Sequence, residues 1–190
     1  FILIGLVLAV LSLLEFYAMG HQRHMQGHTL IGLPAVVALV LLFSNQDYSW
    51  CLLLVIVAAG VAWLFDQQRE TVEGRQARVM MTVGGLLYAG LPPAFLIQIR
   101  ALPDGLLWIY LIFVLTWSTD SFAYFGGRLW GKHRLAPHIS PKKTVEGAIV
   151  GVIGGSALGL LLALAANRFT PALLPLLLVA PPLAVTGDLF

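Results

Sequence analysis

The sequence predicts an all-α fold, a polytopic integral membrane protein with about seven transmembrane helices. Three observations point there. First, 59% of the 190 residues are hydrophobic and 11% are charged, against roughly 25% charged in a soluble domain; mean hydropathy is +0.89. Second, apolar runs approaching the ~20 residues that cross a hydrocarbon core recur along the chain. Third, basic residues concentrate in alternate gaps between those runs.

The apolar segments are 1–19, 29–44, 49–65, 79–99, 106–127, 147–167 and 172–190. The first carries Glu15 but no basic leader or cleavage site, so it reads as a span and not as a signal peptide. The second is short for a span. The third holds Cys51, the single cysteine, which has no intrachain disulfide partner and packs as a small apolar residue. The fourth contains Pro92-Pro93 with no charge beside it, a structural kink or turn. The fifth contains Asp120 and Tyr124. The sixth places Gly147, Gly151, Gly155 and Gly159 on one helix face, the small-xxx-small pattern of close helix packing. The seventh contains Pro181-Pro182, expected to break the helix and expose carbonyls, and then Asp188. No repeat or low-complexity tract divides the chain, so residues 1–190 are expected to form one membrane domain with 128–146 as its main loop. The chain opens on Phe1 and closes on Phe190 inside apolar runs, and truncation at both ends is expected.

Loop charge sets orientation. The first, third and fifth gaps hold Arg23; Arg69, Arg75 and Arg78; and Arg128, Lys132, Arg134, Lys142 and Lys143. The other gaps hold Arg100 and Arg168. Nine basic residues against two predict that the first set of loops is cytoplasmic. All five histidines fall on that side. Asp120 and Asp188 then both lie in the cytoplasmic half of the membrane, near the 128–146 loop.

An acid inside an apolar helix is costly in lipid and faces a polar cavity by default. That makes Asp120 a candidate functional group; pairing with a loop arginine for structure is the alternative. Tyr124, one turn on, either hydrogen-bonds that carboxylate or sits at the interface as an aromatic anchor. Asp188 either faces a polar site or is solvated at a helix end. Ser140-Pro141 reads as a helix start, with Ser as N-cap and Pro at the first position. Lys142 and Lys143 would then sit in the first turn, where the dipole favours acids. Anionic headgroups attract a basic loop by about 1 kcal/mol per residue. A bound phosphate accounts for the helix start as well, with free N–H groups, lysine charge and the Thr144 hydroxyl around it. Glu146 would balance a lysine, support the first turn or bind a metal. His133 and His138 lack a metal spacing. His21, His24 and His28, at i, i+3 and i+7, would form a zinc face if helical, but no fourth ligand accompanies them.

Residues 119–155, TDSFAYFGGRLWGKHRLAPHISPKKTVEGAIVGVIGG, resemble the phosphatidate cytidylyltransferase (CDP-diacylglycerol synthase) family. They match its D-S-x-A-Y, G-(R/K)-x-x-G-K-x-(K/R)-L-A-P and S-P-(K/G)-K-T-x-(E/Q)-G pattern. The ending TGDLF resembles the opening of the family's C-terminal signature. The rest of that signature is a serine, a Lys-Arg pair, a Lys-Asp pair and a His-Gly-Gly-x-x-Asp-Arg run, none of which follows here. Phe122 stands where the family often has a small residue, which would narrow a cavity beside Asp120. Residues 1–118 match only in being multispan and apolar.

The resemblance implies that CTP and phosphatidate give CDP-diacylglycerol and pyrophosphate, with Mg²⁺ or another divalent cation as cofactor. It implies a catalytic set of Asp120, Lys143 and Asp188. The substrate-binding set is Arg128, Lys132, Arg134, Ser140, Lys142, Lys143, Thr144 and Glu146. Asp120 and Asp188 are the candidate metal ligands, with the main metal-binding acids expected beyond residue 190 and the chain alone expected to be inactive. The implied partners are CTP, phosphatidate and the lipid bilayer, with a homodimer open and no nucleic acid. The implied location is the bacterial inner (cytoplasmic) membrane, multi-pass, with a cytoplasmic active face. A CTP-dependent lipid kinase, releasing CDP, is the nearest alternative. A membrane transporter, for which an inverted repeat would argue and none is found, and a non-catalytic scaffold are more distant ones.

Overall fold

The computed structural model describes residues 1–22, 26–66 and 71–188. Arg23, His24 and Arg69, which entered the charge count and the histidine spacing, lie outside the described residues. The elements are α1 (Ile2–Gln22), α2 (Thr29–Ser44), α3 (Tyr48–Phe65), α4 (Val72–Ala101), α5 (Gly105–Trp130), β1 (Arg134–Ala136), β2 (Ser140–Thr144), α6 (Val145–Ala165), a 3-10 turn (Pro171–Leu173) and α7 (Leu174–Gly187). Five of them, α1, α3, α4, α5 and α6, are long and apolar enough to cross a membrane; α2 and α7 are shorter. The protein is a multi-pass membrane protein. Its residues group into two compact units, Phe1–Gly105 and Leu106–Phe190.

In the first unit, Ala9 and Leu13 of α1, Val36 and Leu39 of α2, and Leu86 and Ala89 of α4 make a fully buried seam, with Cys51 and Ala58 of α3 joined to it. Cys51 is a free, buried thiol, as its apolar surroundings predicted. α4 begins at Val72, earlier than its apolar run, so Arg75 and Arg78 belong to a helix and not to a loop. A buried polar knot closes this unit. Asp66, at the end of α3, is 2% exposed. Its carboxylate takes His28 Nε2 at 2.7 Å and Arg78 Nη1 at 3.5 Å. The His28 amide donates to Thr82 Oγ1 at 2.9 Å, and the Tyr17 hydroxyl donates to the Thr82 carbonyl at 3.2 Å. A buried charge persists only when paired and hydrogen-bonded, and these partners meet that need. Among the described residues, the helical arrangement that the zinc face needs is not met, and His24 lies outside them. Residues 26–28 are not helical, His28 is committed to Asp66, and His21 Nδ1 lies 2.8 Å from Gln26 Nε2.

In the second unit, Gly147, Gly151, Gly155 and Gly159, the four glycines on one face of α6, are all buried, and this face packs on α5. A Cβ on Gly147 would lie 2.6 Å from the Ala123 carbonyl oxygen, and one on Gly151 would lie 2.8 Å from both Ala123 Cβ and the Thr119 oxygen. Gly155 meets Thr119, and Gly159 meets Leu115 and Leu177. The i, i+4 ridge Leu115, Thr119, Ala123, Gly127 therefore fits the glycine groove, and the two backbones touch. Leu111, Leu115, Ala163, Leu173 and Leu177 form the core beside it. α6 ends in a Schellman turn: Asn167 takes φ 52°, and Arg168 N donates to the Ala163 carbonyl at 3.0 Å.

Two expectations are corrected here. The proline pairs do not break their helices: Pro92-Pro93 lie inside α4 and Pro181-Pro182 inside α7. Pro181 deprives the Leu177 carbonyl of its usual donor, and the Ser156 hydroxyl on α6 supplies one at 2.7 Å. Ser140-Pro141 is not a helix start either. It opens β2, the second strand of a small antiparallel hairpin.

Candidate active site

The hairpin follows from local chemistry. Proline disfavours helical geometry in the residue before it, so Ser140 is pushed towards extended backbone. Extension continues to Thr144, at φ −123° and ψ 152°. The helix begins one residue later. Thr144 is its N-cap, with Oγ1 accepting from Gly147 N at 3.2 Å. Val145 N, another donor at this end, is taken by the His133 carbonyl at 2.9 Å. The start of α6 is thus already supplied with acceptors. The lysines stand on the strand ahead of it, not in its first turn.

Strand register then explains a feature of the lysines. Arg134 pairs with Thr144 and Ala136 with Ser140, so two steps along β1 match four along β2. β2 bulges across Pro141–Lys143. Successive residues of a regular strand face opposite ways, and a bulge relaxes that rule. Lys142 and Lys143, though adjacent, line the same cavity.

That cavity, about 390 Å³, lies within the second unit. From α5 it takes Asp120, Ala123, Tyr124, Gly127 and Arg128. These are i, i+3, i+4, i+7 and i+8, one helix face. The hairpin adds Leu135, Lys142, Lys143 and Thr144; α6 adds Gly147 and Ala148; α7 adds Val185, with Asp188 at its end. Three cations and two acids therefore surround one space. Lys143 Nζ lies 2.6 Å from Asp188 Oδ2 and also donates to the Asp188 carbonyl. Asp188 is largely exposed, so this pair is cheap to open, within about 1 kcal/mol. A phosphate entering the cavity can replace the carboxylate as the lysine's partner.

Of the expected site residues, Asp120, Arg128, Lys142, Lys143, Thr144 and Asp188 meet at this cavity, while Lys132, Arg134, Ser140 and Glu146 are not in its lining. Glu146 faces the other way, onto the Lys132 and His133 amides and the His133 ring. Phe122 is also outside the lining. Its ring packs on Gly154 of α6 and does not narrow the space beside Asp120. Ala123, Gly127, Leu135, Ala148 and Val185 escaped the sequence reading. The α5 members were legible as neighbours of Asp120 on its helix face; Leu135 and Val185 had no local signal. Among the described residues no three His, Cys, Asp or Glu side chains cluster as a metal centre.

The profile of the family described as "Cytidylyltransferase family" matches residues 1–190. The chain belongs to that family. It is similar to proteins named phosphatidate cytidylyltransferase in several bacteria. It is 30% identical to that of Staphylococcus saprophyticus over 97% of this chain and 73% of the relative. Against the Bacillus subtilis protein it is 41% identical over 54% of this chain and 38% of the relative. Against the Brucella abortus protein the figures are 39%, 62% and 42%. For the second and third of these the match covers less than half of the relative's length. No solved structure matches the chain. In this cytidylyltransferase-family chain, the cationic strand and the acid of the apolar helix α5 line one cavity.

Proposed function

We propose that the cavity is where CTP and phosphatidate meet, and that the full-length protein is a phosphatidate cytidylyltransferase. The observation that carries this is the joining of Arg128, Lys142 and Lys143 with Asp120 and Asp188 around one space at the ends of membrane helices. A water-soluble polyanion and a lipid phosphate both need such a boundary. Apolar wall residues such as Ala123, Leu135, Ala148 and Val185 suit the start of the lipid's acyl chains, and the cations suit phosphate.

In the reaction, a phosphatidate phosphate oxygen attacks the α-phosphorus of CTP. A new P–O bond forms, the α–β bridging P–O bond breaks, and pyrophosphate leaves with the electron pair. Catalysis of this kind rests on positioning and charge neutralisation. Lys143 exchanges Asp188 for a phosphate oxygen. Lys142 and Arg128 hold the remaining negative charge, and the Thr144 hydroxyl, whose lone pair is used by Gly147 N, still has its proton to donate. The two carboxylates also suit Mg²⁺, which takes one or two acids and completes its shell with phosphate and water. Asp120 and Asp188 would hold it, and it would neutralise charge between attacking and leaving groups. The bias of nine basic residues to two supports a cytoplasmic active face, and the bacterial relatives support the inner membrane.

The test is a Lys143→Ala variant of the full-length protein in membranes, with CTP and phosphatidate supplied and products separated. It should insert normally and lose most turnover, while the wild type releases pyrophosphate. Near-normal turnover would remove Lys143 from the site, and release of CDP instead would make the protein a lipid kinase.

A further inference from the structure

The Glu146 carboxylate is spent on the chain itself. Oε2 accepts from Lys132 N at 3.0 Å and from His133 N at 3.2 Å. Oε1 lies 2.6 Å from His133 Nδ1. A carboxylate only accepts, so Nδ1 carries the hydrogen. The exchange is reciprocal, because Val145 N donates to the His133 carbonyl at 2.9 Å. Residues 132–133 and 145–146 are thus laced together at the base of a loop. That loop is the whole hairpin, with Leu135, Lys142 and Lys143 projecting from it into the cavity.

We propose that Glu146 and His133 form a positioning pair, a clasp that holds the hairpin's lysines over the cavity without touching substrate. This rests on the cavity being the CTP and phosphatidate site. Exposure separates the clasp from a stability role. The His133 side chain is 78% exposed and that of Glu146 25%. An ion pair with one partner so open to water adds little to folding. Its value lies in the ordering of a loop before its ligand arrives, which lowers the entropy lost on binding. Losing the clasp therefore weakens binding and leaves the chemistry of bound substrate close to normal.

Glutamine makes the decisive variant. Its amide oxygen can accept from both backbone N–H groups, and its NH₂ can donate to Nδ1 of the other histidine tautomer. The clasp survives without charge. A carboxylate acting as metal ligand or as lysine counterion does not survive that change.

The experiment measures kcat and KM for CTP in the full-length protein in mixed micelles, for the wild type, Glu146→Ala, Glu146→Gln, His133→Ala and Lys143→Ala. Glu146→Ala should raise KM for CTP about tenfold with kcat within about twofold, the pattern of lost pre-organisation. Glu146→Gln should restore most of the affinity, and His133→Ala should fall between. The proposal is overturned if Glu146→Gln is as impaired as Glu146→Ala, or if Glu146→Ala matches the wild type while Lys143→Ala is impaired. Normal kinetics in Lys143→Ala overturn the cavity reading, and the clasp's role with it. If Glu146→Ala does not insert, the order wild type, Glu146→Gln, His133→Ala in rising KM supports the clasp, and any other order overturns it.

Discussion

A single methyl group at Gly151 should disable the site from two turns away. The Cβ of Gly151→Ala would sit 2.8 Å from Ala123 Cβ and 2.8 Å from the Thr119 carbonyl oxygen. Carbon atoms rest comfortably at about 3.5–4.0 Å, so α5 and α6 must part by roughly 1 Å. Neither neighbour is the tip of a flexible side chain, so rotation relieves nothing. Overpacking of this kind costs about 1–3 kcal/mol. The larger effect is geometric. α5 carries Asp120 and Arg128, and α6 continues from the strand that carries Lys142 and Lys143. Separating the helices by roughly 1 Å misplaces one set against the other, and such a shift costs about 10²-fold in rate. The assay is CTP-dependent conversion of phosphatidate by the full-length protein, with thermal unfolding in detergent measured alongside. Gly60→Ala is the control, since a Cβ there meets nothing within 4 Å. Gly151→Ala with more than half the wild-type activity would refute the claim that helix contact sets the cavity.

Other variants probe separate parts. Asp66→Ala strips the partner of His28 and Arg78 from a site only 2% exposed, and should cost about 3 kcal/mol in detergent unfolding; Asp66→Asn, which keeps an acceptor, should cost less. Thr144→Val removes the cap of α6, worth about 1 kcal/mol, together with a cavity hydroxyl, whereas Thr144→Ser keeps both and should retain stability and turnover. Added salt should raise KM for CTP steadily, because Lys142 and Arg128 are exposed charges; a KM flat in salt would argue against their holding phosphate.

What was legible in the sequence divides along physical lines. Apolar runs needed by a bilayer are long and self-evident, and each of the expected segments contains a helix. The glycine spacing on α6 was readable because helical period alone puts those residues on one face. Asp120 stood out because an acid in an apolar helix needs a reason. The hairpin was hidden because Ser-Pro signals both a helix start and an extended turn. The choice between them was made by pairing with Arg134 and Ala136, outside any local window. Pro181-Pro182 is opaque for a similar reason: the donor to the Leu177 carbonyl, Ser156, lies 21 residues before Leu177. Glu146 in its sequence context suits a lysine partner, helix support or a metal ligand alike, and its actual partners, Lys132 and His133, lie beyond the reach of local pattern.

The bulge in β2 has a bearing on how this stretch tolerates change in length. Surface hairpins generally accept the gain or loss of a residue. Here, deleting Pro141 would leave three steps of β2 against two of β1 and re-aim the side chains between Ser140 and Thr144. Both lysines would remain, yet they would no longer be set together on one cavity. The segment is therefore constrained by length as much as by identity: a charge-preserving deletion should be more damaging than a Lys→Arg exchange at either position.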